Sequence, residues 1–106
     1  MTPLIIRLKA RLEPIFGPES SAQLLQSFLT SLRQQLDAAS TAIANNDPAT
    51  LVTAAHSLKG IMSNAGEEQA TQAAIWLHKA AMLGDTEEIS QAWHAFLKSI
   101  DYKGEL

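Results

Sequence analysis

Length, composition and charge limit what this chain can be. It has 106 residues, 46% of them hydrophobic, and a formal net charge of -3 at pH 7, which fits one small domain over residues 1–106. The acidic balance argues against a nucleic-acid-binding surface. The absence of cysteine excludes disulfides, thiolate catalysis and cysteine-based zinc sites. Alanine and leucine dominate and only 6% of residues are aromatic, which is typical of all-helical domains.

The sequence gives no sign of a membrane contact. No apolar stretch approaches the roughly 20 residues that a spanning helix requires, and no run of Lys or Arg suggests a membrane surface. The start, Met1 to Arg7, is too short and too soon charged for a signal peptide. We therefore expect a cytoplasmic location.

The first half of the chain predicts two helices. Thr2 and Pro3 are suited to begin a short helix, which should end within residues 11–13 because the residue before Pro14 avoids helical geometry. After a turn at residues 16–18, a longer helix should follow. Its apolar stripe, at spacings of three and four, comprises Leu25, Leu29, Leu32, Leu36, Ala39 and Ile43, with Phe28 beside it.

The second half predicts three more helices. Asp47-Pro48 is a good start for the third, and Gly66 suits its C-terminus. Gly84 should close the fourth helix, and Asp85 should cap the fifth, with Glu88 in the reciprocal capping position. The expected core positions of the last two helices are Ala70, Ala73, Ala74, Leu77, Ala80, Ala81, Ile89, Ala92, Trp93, Phe96 and Ile100.

The loops between consecutive helices are short, which favours antiparallel neighbours. We therefore predict an all-α fold, an antiparallel up-down-up-down four-helix bundle. The short N-terminal helix should cap one end of this bundle, and the tail at residues 101–106 should be loose.

The most informative feature is His56-Ser57-Leu58-Lys59-Gly60, followed by Gly66, in the third predicted helix. Leu51, Ala55, Leu58 and Met62 form its apolar face. At about 100° per residue, His56 falls roughly 140° from Leu51, so its ring should reach solvent, with Lys59, Gly60 and Ser63 on the same side. Glycine inside a helix costs about 1 kcal/mol relative to alanine. We expect a compensating role: without a side chain at Gly60, a second protein can approach the His56 ring.

With these residues the chain resembles the histidine-containing phosphotransfer (HPt) domains of multistep phosphorelays. That family carries H-x-L-K-G and a further glycine ten residues after the histidine, as at His56 and Gly66. The resemblance extends over roughly Leu24 to Gly84. It implies that His56 accepts a phosphoryl group from a receiver-domain aspartyl phosphate and passes it to another receiver. Lys59 would then stabilise charge on the phosphoryl oxygens.

The resemblance also implies the partners and the cofactor requirement. The expected partners are response-regulator receiver domains, with a hybrid sensor histidine kinase as a further candidate, and the domain should be a monomer. It should have no autonomous kinase activity and no cofactor of its own, because the Mg²⁺ and the acidic pocket belong to the receiver. The sequence does not identify the cognate receiver or the direction of phosphoryl flow. It also leaves open whether the chain is a free-standing protein or a piece of a hybrid kinase.

The predicted docking surface comprises Val52, Gly60, Ser63, Ile75 and His78. Ile75 and Met82 lie off the core stripe and are equally well explained as incidental apolar groups. In the HPt family, the position twenty-two residues after the histidine often holds Glu or Gln facing the active ring. This chain has His78 there, a departure that leaves the orientation of the His56 ring open.

Plainer interpretations stand beside these hypotheses. Taken alone, His56 and Lys59 are ordinary solvated side chains and Gly60 is a tolerated defect. The alternative function is a non-phosphorylated helical adaptor that only docks receivers. No metal site is expected, because the three histidines fall on three different helices without an i, i+4 pair. The adjacent acidic pairs at 67–68 and 87–88 lie at helix starts, where negative charge favours the helix dipole, and they are assigned to capping in preference to acid–base catalysis.

Overall fold

Four α-helices make up most of the chain. The computed structural model describes residues 2–104 and 106, and within them α1 spans Pro3–Ala44, α2 Pro48–Asn64, α3 Glu68–Leu83 and α4 Thr86–Ser99, with no strand. Connections of two or three residues join these helices, and each helix packs against the next one in the chain. The predicted all-α four-helix fold is confirmed, and the short connections are consistent with antiparallel neighbours.

The helix α1 is broken at Gly17. This residue has φ 80° and ψ 167° inside an otherwise helical run, a region that is essentially restricted to glycine, and it precedes Pro18, which disfavours helical geometry. The break separates an N-terminal arm, residues 3–16, from the long part of α1, residues 18–44. The prediction that the first helix stops before Pro14 is wrong. The fixed φ of a proline is itself helical, so the arm continues to the glycine.

The N-terminal arm covers one end of the bundle. The Ile5 N–H donates to Thr2 Oγ1 (3.3 Å), which confirms the predicted N-cap. Leu4 and Leu8 lie one turn apart and are buried, while Leu12 packs against the core from its edge. Burying a leucine side chain contributes about 1.5–3 kcal/mol, so these contacts attach the arm firmly.

The core forms along the predicted stripes. In α1 the last buried position is Ala42, whereas Ile43, which was predicted to end the apolar stripe, is only partly buried. The buried stripe therefore ends one residue earlier than predicted. The predicted α3 positions are all buried, and of the core positions predicted for the last helix only Trp93 is partly buried. The buried residues of α2 are Leu51, Ala54, Ala55, Leu58 and Met62. Burial of this face fixes the rotation of α2 and leaves its opposite face outward.

Each turn between helices uses one residue with a left-handed backbone: Asn46, Gly66 and Gly84, at φ 55°, 74° and 67°. In each turn the N–H of the residue that directly follows donates back to a carbonyl of the last helical turn, at 2.8 Å for Asp47 to Ala42, 3.0 Å for Glu67 to Met62 and 3.2 Å for Asp85 to Ala80. These bonds satisfy carbonyls that a helix end would otherwise leave unpaired.

The end of the chain is more ordered than predicted. Ile100 is fully buried, and Tyr102 and Leu106 pack against the core. The Tyr102 N–H also donates to the Leu97 carbonyl at 3.0 Å. Both side chains line the groove between α1 and α4, together with Leu36 and others. The expectation of a loose tail is therefore wrong for these residues, because the groove offers apolar surface to cover.

Candidate functional site

The start of α2 is fixed by a side-chain cap. Asp47 accepts hydrogen bonds from the Thr50 N–H (3.2 Å) and from the Thr50 hydroxyl (2.6 Å), and Pro48 occupies the first turn. These hydrogen bonds, the one from the hydroxyl first, hold the pKa of Asp47 below its ordinary value. The predicted helix start is confirmed, and it lies two turns before His56.

His56 is exposed in the middle of α2. Its neighbours Ala55 and Leu58 are fully buried, so the two faces of the helix separate sharply at this point. The predicted solvent exposure of the ring is confirmed. A neutral imidazole has one unprotonated nitrogen that can act as a nucleophile near neutral pH.

Gly60 leaves open space one turn beyond His56. A Cβ at this position would meet nothing within 4 Å, and the backbone is not in a left-handed conformation. No packing or backbone constraint of the described chain therefore requires a glycine here. Lys59, partly exposed, lies three residues after His56, which places the two side chains on neighbouring turns of the same surface.

His78 lies beside His56 across the α2–α3 interface. The two ring centroids are 5.8 Å apart and the ring planes are inclined by 49°. His78 is partly buried and His56 is exposed. His78 therefore lies beside the His56 ring, as the family resemblance implies for this position, although no hydrogen bond joins the two rings in the described structure.

The other predicted docking residues differ in accessibility. Ser63 is exposed, whereas Val52 and Ile75 are partly buried and Val52 packs against the core. Met82, one turn after His78 on α3, is 66% exposed. Helical spacing therefore puts Val52 one turn before His56 and Ile75 one turn before His78, so both border the histidine pair.

A cluster of charges fixes the α2–α3 turn, and the sequence did not predict it. Glu67 is 6% exposed and receives hydrogen bonds from Arg7 (2.7 Å to Oε1) and from Arg11. Arg11 also donates to the Ala65 carbonyl, and Arg7 Nη1 lies 3.5 Å from Asp101. The arm, the turn and the end of α4 are thereby joined. In the sequence, this cluster is indicated only by the i, i+4 spacing of Arg7 and Arg11, which places both side chains on one face of the arm.

This cluster corrects the role assigned to Glu67. Its side chain makes no cap hydrogen bond at the start of α3. Burial acts to raise the pKa of Glu67, but the hydrogen bonds and charges of the two arginines outweigh it and lower that pKa. The Glu67 hydrogen bond is also the main reason that the pKa of Arg7 is raised. The charged Glu67 carboxylate therefore links the N-terminal arm to the α2–α3 turn.

Gly66, the second glycine of the motif, has a structural explanation. Its φ of 74° is left-handed, and a Cβ there would approach Arg11 Nη1 to 3.2 Å. This glycine therefore ends α2 and makes room for the arginine that bonds to Glu67. Gly60 and Gly66 are consequently glycines for different reasons.

The start of α4 is only partly as predicted. Asp85 caps the helix through the Glu88 N–H (3.1 Å), as expected. The Glu88 carboxylate does not bond back to Asp85 but accepts from Trp76 Nε1 at 2.5 Å. The reciprocal capping prediction is wrong because the Asp85 N–H already donates to the Ala80 carbonyl.

The remaining histidine, His94, is exposed on α4. Within residues 2–104 and 106, no group of three or more His, Asp or Glu side chains is arranged to hold a metal ion. None of the described helices has the length and apolar character needed to cross a membrane.

Comparison with known proteins identifies the family. A family model described as the Hpt domain matches residues 23–102, which contain α2, α3, α4 and most of the long part of α1. No curated protein and no solved structure gave a significant match. Hpt domains are histidine-containing phosphotransfer modules of phosphorelays, they interact with response-regulator receiver domains, and they are not kinases. Because the match covers well over half of the chain, this protein belongs to the Hpt domain family.

Proposed function

We propose that His56 is the phosphoryl acceptor and that the domain relays phosphoryl groups between receiver domains. The observation that carries this proposal is the exposure of His56 on α2, in the H-x-L-K-G motif, inside the region that matches the Hpt family. His94 is also exposed, with Lys98 one turn further on, but it lacks the motif. His94 is therefore the natural control residue.

The chemistry needs little from this chain besides a presented imidazole. The unprotonated nitrogen of His56 attacks the phosphorus of a receiver aspartyl phosphate. The bond between phosphorus and the aspartate oxygen breaks, the carboxylate leaves, and a phosphoimidazole forms. In the reverse direction a second receiver carboxylate attacks the phosphoimidazole. Positioning and charge stabilisation dominate phosphoryl transfer, and Lys59 provides the nearby cation.

Gly60 and the surrounding surface provide access. The empty space at Gly60 lets the edge of a receiver active site come within reach of the ring. Val52, Ser63, Ile75 and His78 complete the docking surface on α2 and α3. These roles rest on placement around the His56 ring, and the expected cytoplasmic location and monomeric state stay predictions.

One experiment separates the relay from an adaptor that only docks receivers. The purified chain is incubated with a panel of phosphorylated receiver domains, and both binding and acid-labile phosphate on the chain are measured. A relay acquires acid-labile phosphate from at least one receiver and returns it to a receiver. Binding without any phosphate on the chain, across the panel, would favour the adaptor and contradict the proposal.

A further inference from the structure

We propose that His56 and His78 together form a two-imidazole site for a divalent transition metal, and that a metal bound there prevents phosphorylation of His56. The binding half of this inference stands on the geometry of the two rings alone. The inhibitory half rests on the proposed function.

The separation of the rings suits a shared metal. Zinc lies about 2.0–2.1 Å from a coordinating imidazole nitrogen, and so about 3.2 Å from the ring centroid. Two rings on one zinc then have centroids about 5.2 Å apart at a tetrahedral angle and about 6.4 Å apart at the linear limit. The observed 5.8 Å lies between these limits. The 49° inclination is compatible with a shared metal, since coordination sets the direction of each metal–nitrogen bond and not the angle between the two ring planes.

Both rings are available as ligands. Neither His56 nor His78 takes part in a side-chain hydrogen bond or an ion pair within the described residues. His56 is exposed, and the empty space at Gly60 gives a hydrated ion a way to approach.

The donor set selects the class of metal. Imidazole nitrogen suits zinc, copper and nickel, whereas magnesium and calcium prefer oxygen ligands. The Mg²⁺ that receiver domains use is therefore not a competitor. With two protein ligands, water fills the other coordination positions, and the metal is an exchangeable ligand, unlike the ion of a closed structural site.

Metal binding and phosphorylation compete for the same electrons. A neutral imidazole has one nitrogen with a free lone pair, because the other nitrogen carries the proton. A metal on that nitrogen of His56 occupies the lone pair that would attack phosphorus. Lys59 distinguishes the two reactions further, because its positive charge assists an anionic phosphoryl group and opposes a metal cation.

The test measures Zn²⁺ binding to the purified chain by calorimetry and by the imidazole resonances in NMR spectra. The variants are His56→Gln, His78→Gln and, as a matched control, His94→Gln, each checked for native helicity by circular dichroism. Removing either proposed ligand should weaken binding at least about tenfold, the low end of the loss seen when even an outer-shell partner is removed. His94→Gln should bind like the wild type. Lys59→Ala should bind Zn²⁺ more tightly. Equal binding by all histidine variants, or no binding by the wild type, would overturn the site.

A second measurement tests the block. The rate of phosphoryl transfer from a phosphorylated receiver is measured against Zn²⁺ concentration, each variant relative to its own metal-free rate. For the wild type the inhibition midpoint should equal the binding constant, and for His78→Gln it should shift by the same factor as binding. An inhibition midpoint that is the same for the wild type and for His78→Gln would refute the proposed block of His56 phosphorylation. Metal binding without any metal-free transfer would instead refute the proposed function, while transfer without metal binding would refute only this inference.

Discussion

Replacing Gly60 by alanine should make the protein more stable and a poorer phosphoryl acceptor. Gly60 lies inside α2 with a helical backbone, and an added methyl group meets nothing within 4 Å. The substitution therefore gains the helix preference of alanine, about 0.5–1 kcal/mol, without a steric cost. For a domain of this size, that gain raises the melting temperature by about 2–5 °C.

Gly84→Ala is the matched control for stability. A Cβ at Gly84 also meets nothing within 4 Å, but its φ is 67°. A left-handed backbone costs an alanine about 1–2 kcal/mol, so the same substitution should lower the stability there. Urea unfolding followed by circular dichroism, with both variants and the wild type, measures the two opposite shifts.

Substitution of Gly60 should lower the rate of phosphoryl transfer even though it raises stability. A side chain one turn from His56 narrows the approach to the ring, so Gly60→Ala should slow transfer and Gly60→Glu should slow it more, because it adds bulk and negative charge near the phosphoryl group. Helicity should be retained in both. Transfer kinetics from a phosphorylated receiver provide the assay. Loss of stability in Gly60→Ala, or unchanged kinetics in Gly60→Glu, would show that this glycine is not there for access.

Three further predictions follow from the same structure. Lys59→Ala should slow transfer more than it weakens receiver binding, because a cation acting on developing charge contributes mainly in the transition state; equal rates would make Lys59 an ordinary surface residue. Glu67 has a pKa below its ordinary value of 4.5, so its contribution to stability is fully present above that value and is lost as the pH falls through the depressed pKa. Glu67→Gln should therefore flatten the acidic part of a profile of urea-unfolding free energy against pH. An unchanged profile would contradict a stabilising role of the Glu67 ion pairs. Leu58 is 0% exposed, so Leu58→Ala should cost about 2–5 kcal/mol of unfolding free energy, and a loss below 1 kcal/mol would contradict its core position.

Periodicity and helix-terminal residues predicted most of the fold. The buried face of α2 and the caps at Thr2, Asp47 and Asp85 are local features, and local spacing is sufficient to define them. The end of the first helix was misplaced because the rule for the residue before proline is a tendency, and Gly17, not Pro14, permits the backbone geometry of the break.

The errors share a physical cause, which is that they depend on contacts between distant segments. Glu67 was assigned to capping the start of α3, yet its carboxylate makes no cap hydrogen bond and pairs with arginines about sixty residues away. Glu88 bonds to Trp76 on another helix, and Tyr102 covers a groove that exists only after α1 and α4 have packed. Residue spacing along the chain contains no information on such pairings. The adjacency of His56 and His78 was the exception, because the family resemblance supplied the register between two helices.

The most direct test of the central claim is to locate the phosphoryl group. Wild type, His56→Gln, His78→Gln and His94→Gln are each incubated with the same phosphorylated receiver, and acid-labile phosphate on the chain is quantified after separation. We predict that His56→Gln, with native helicity, carries none, while the His94→Gln control is phosphorylated like the wild type. Phosphate that persists on His56→Gln, or that is lost only from His78→Gln or His94→Gln, would contradict the assignment of His56 as the acceptor.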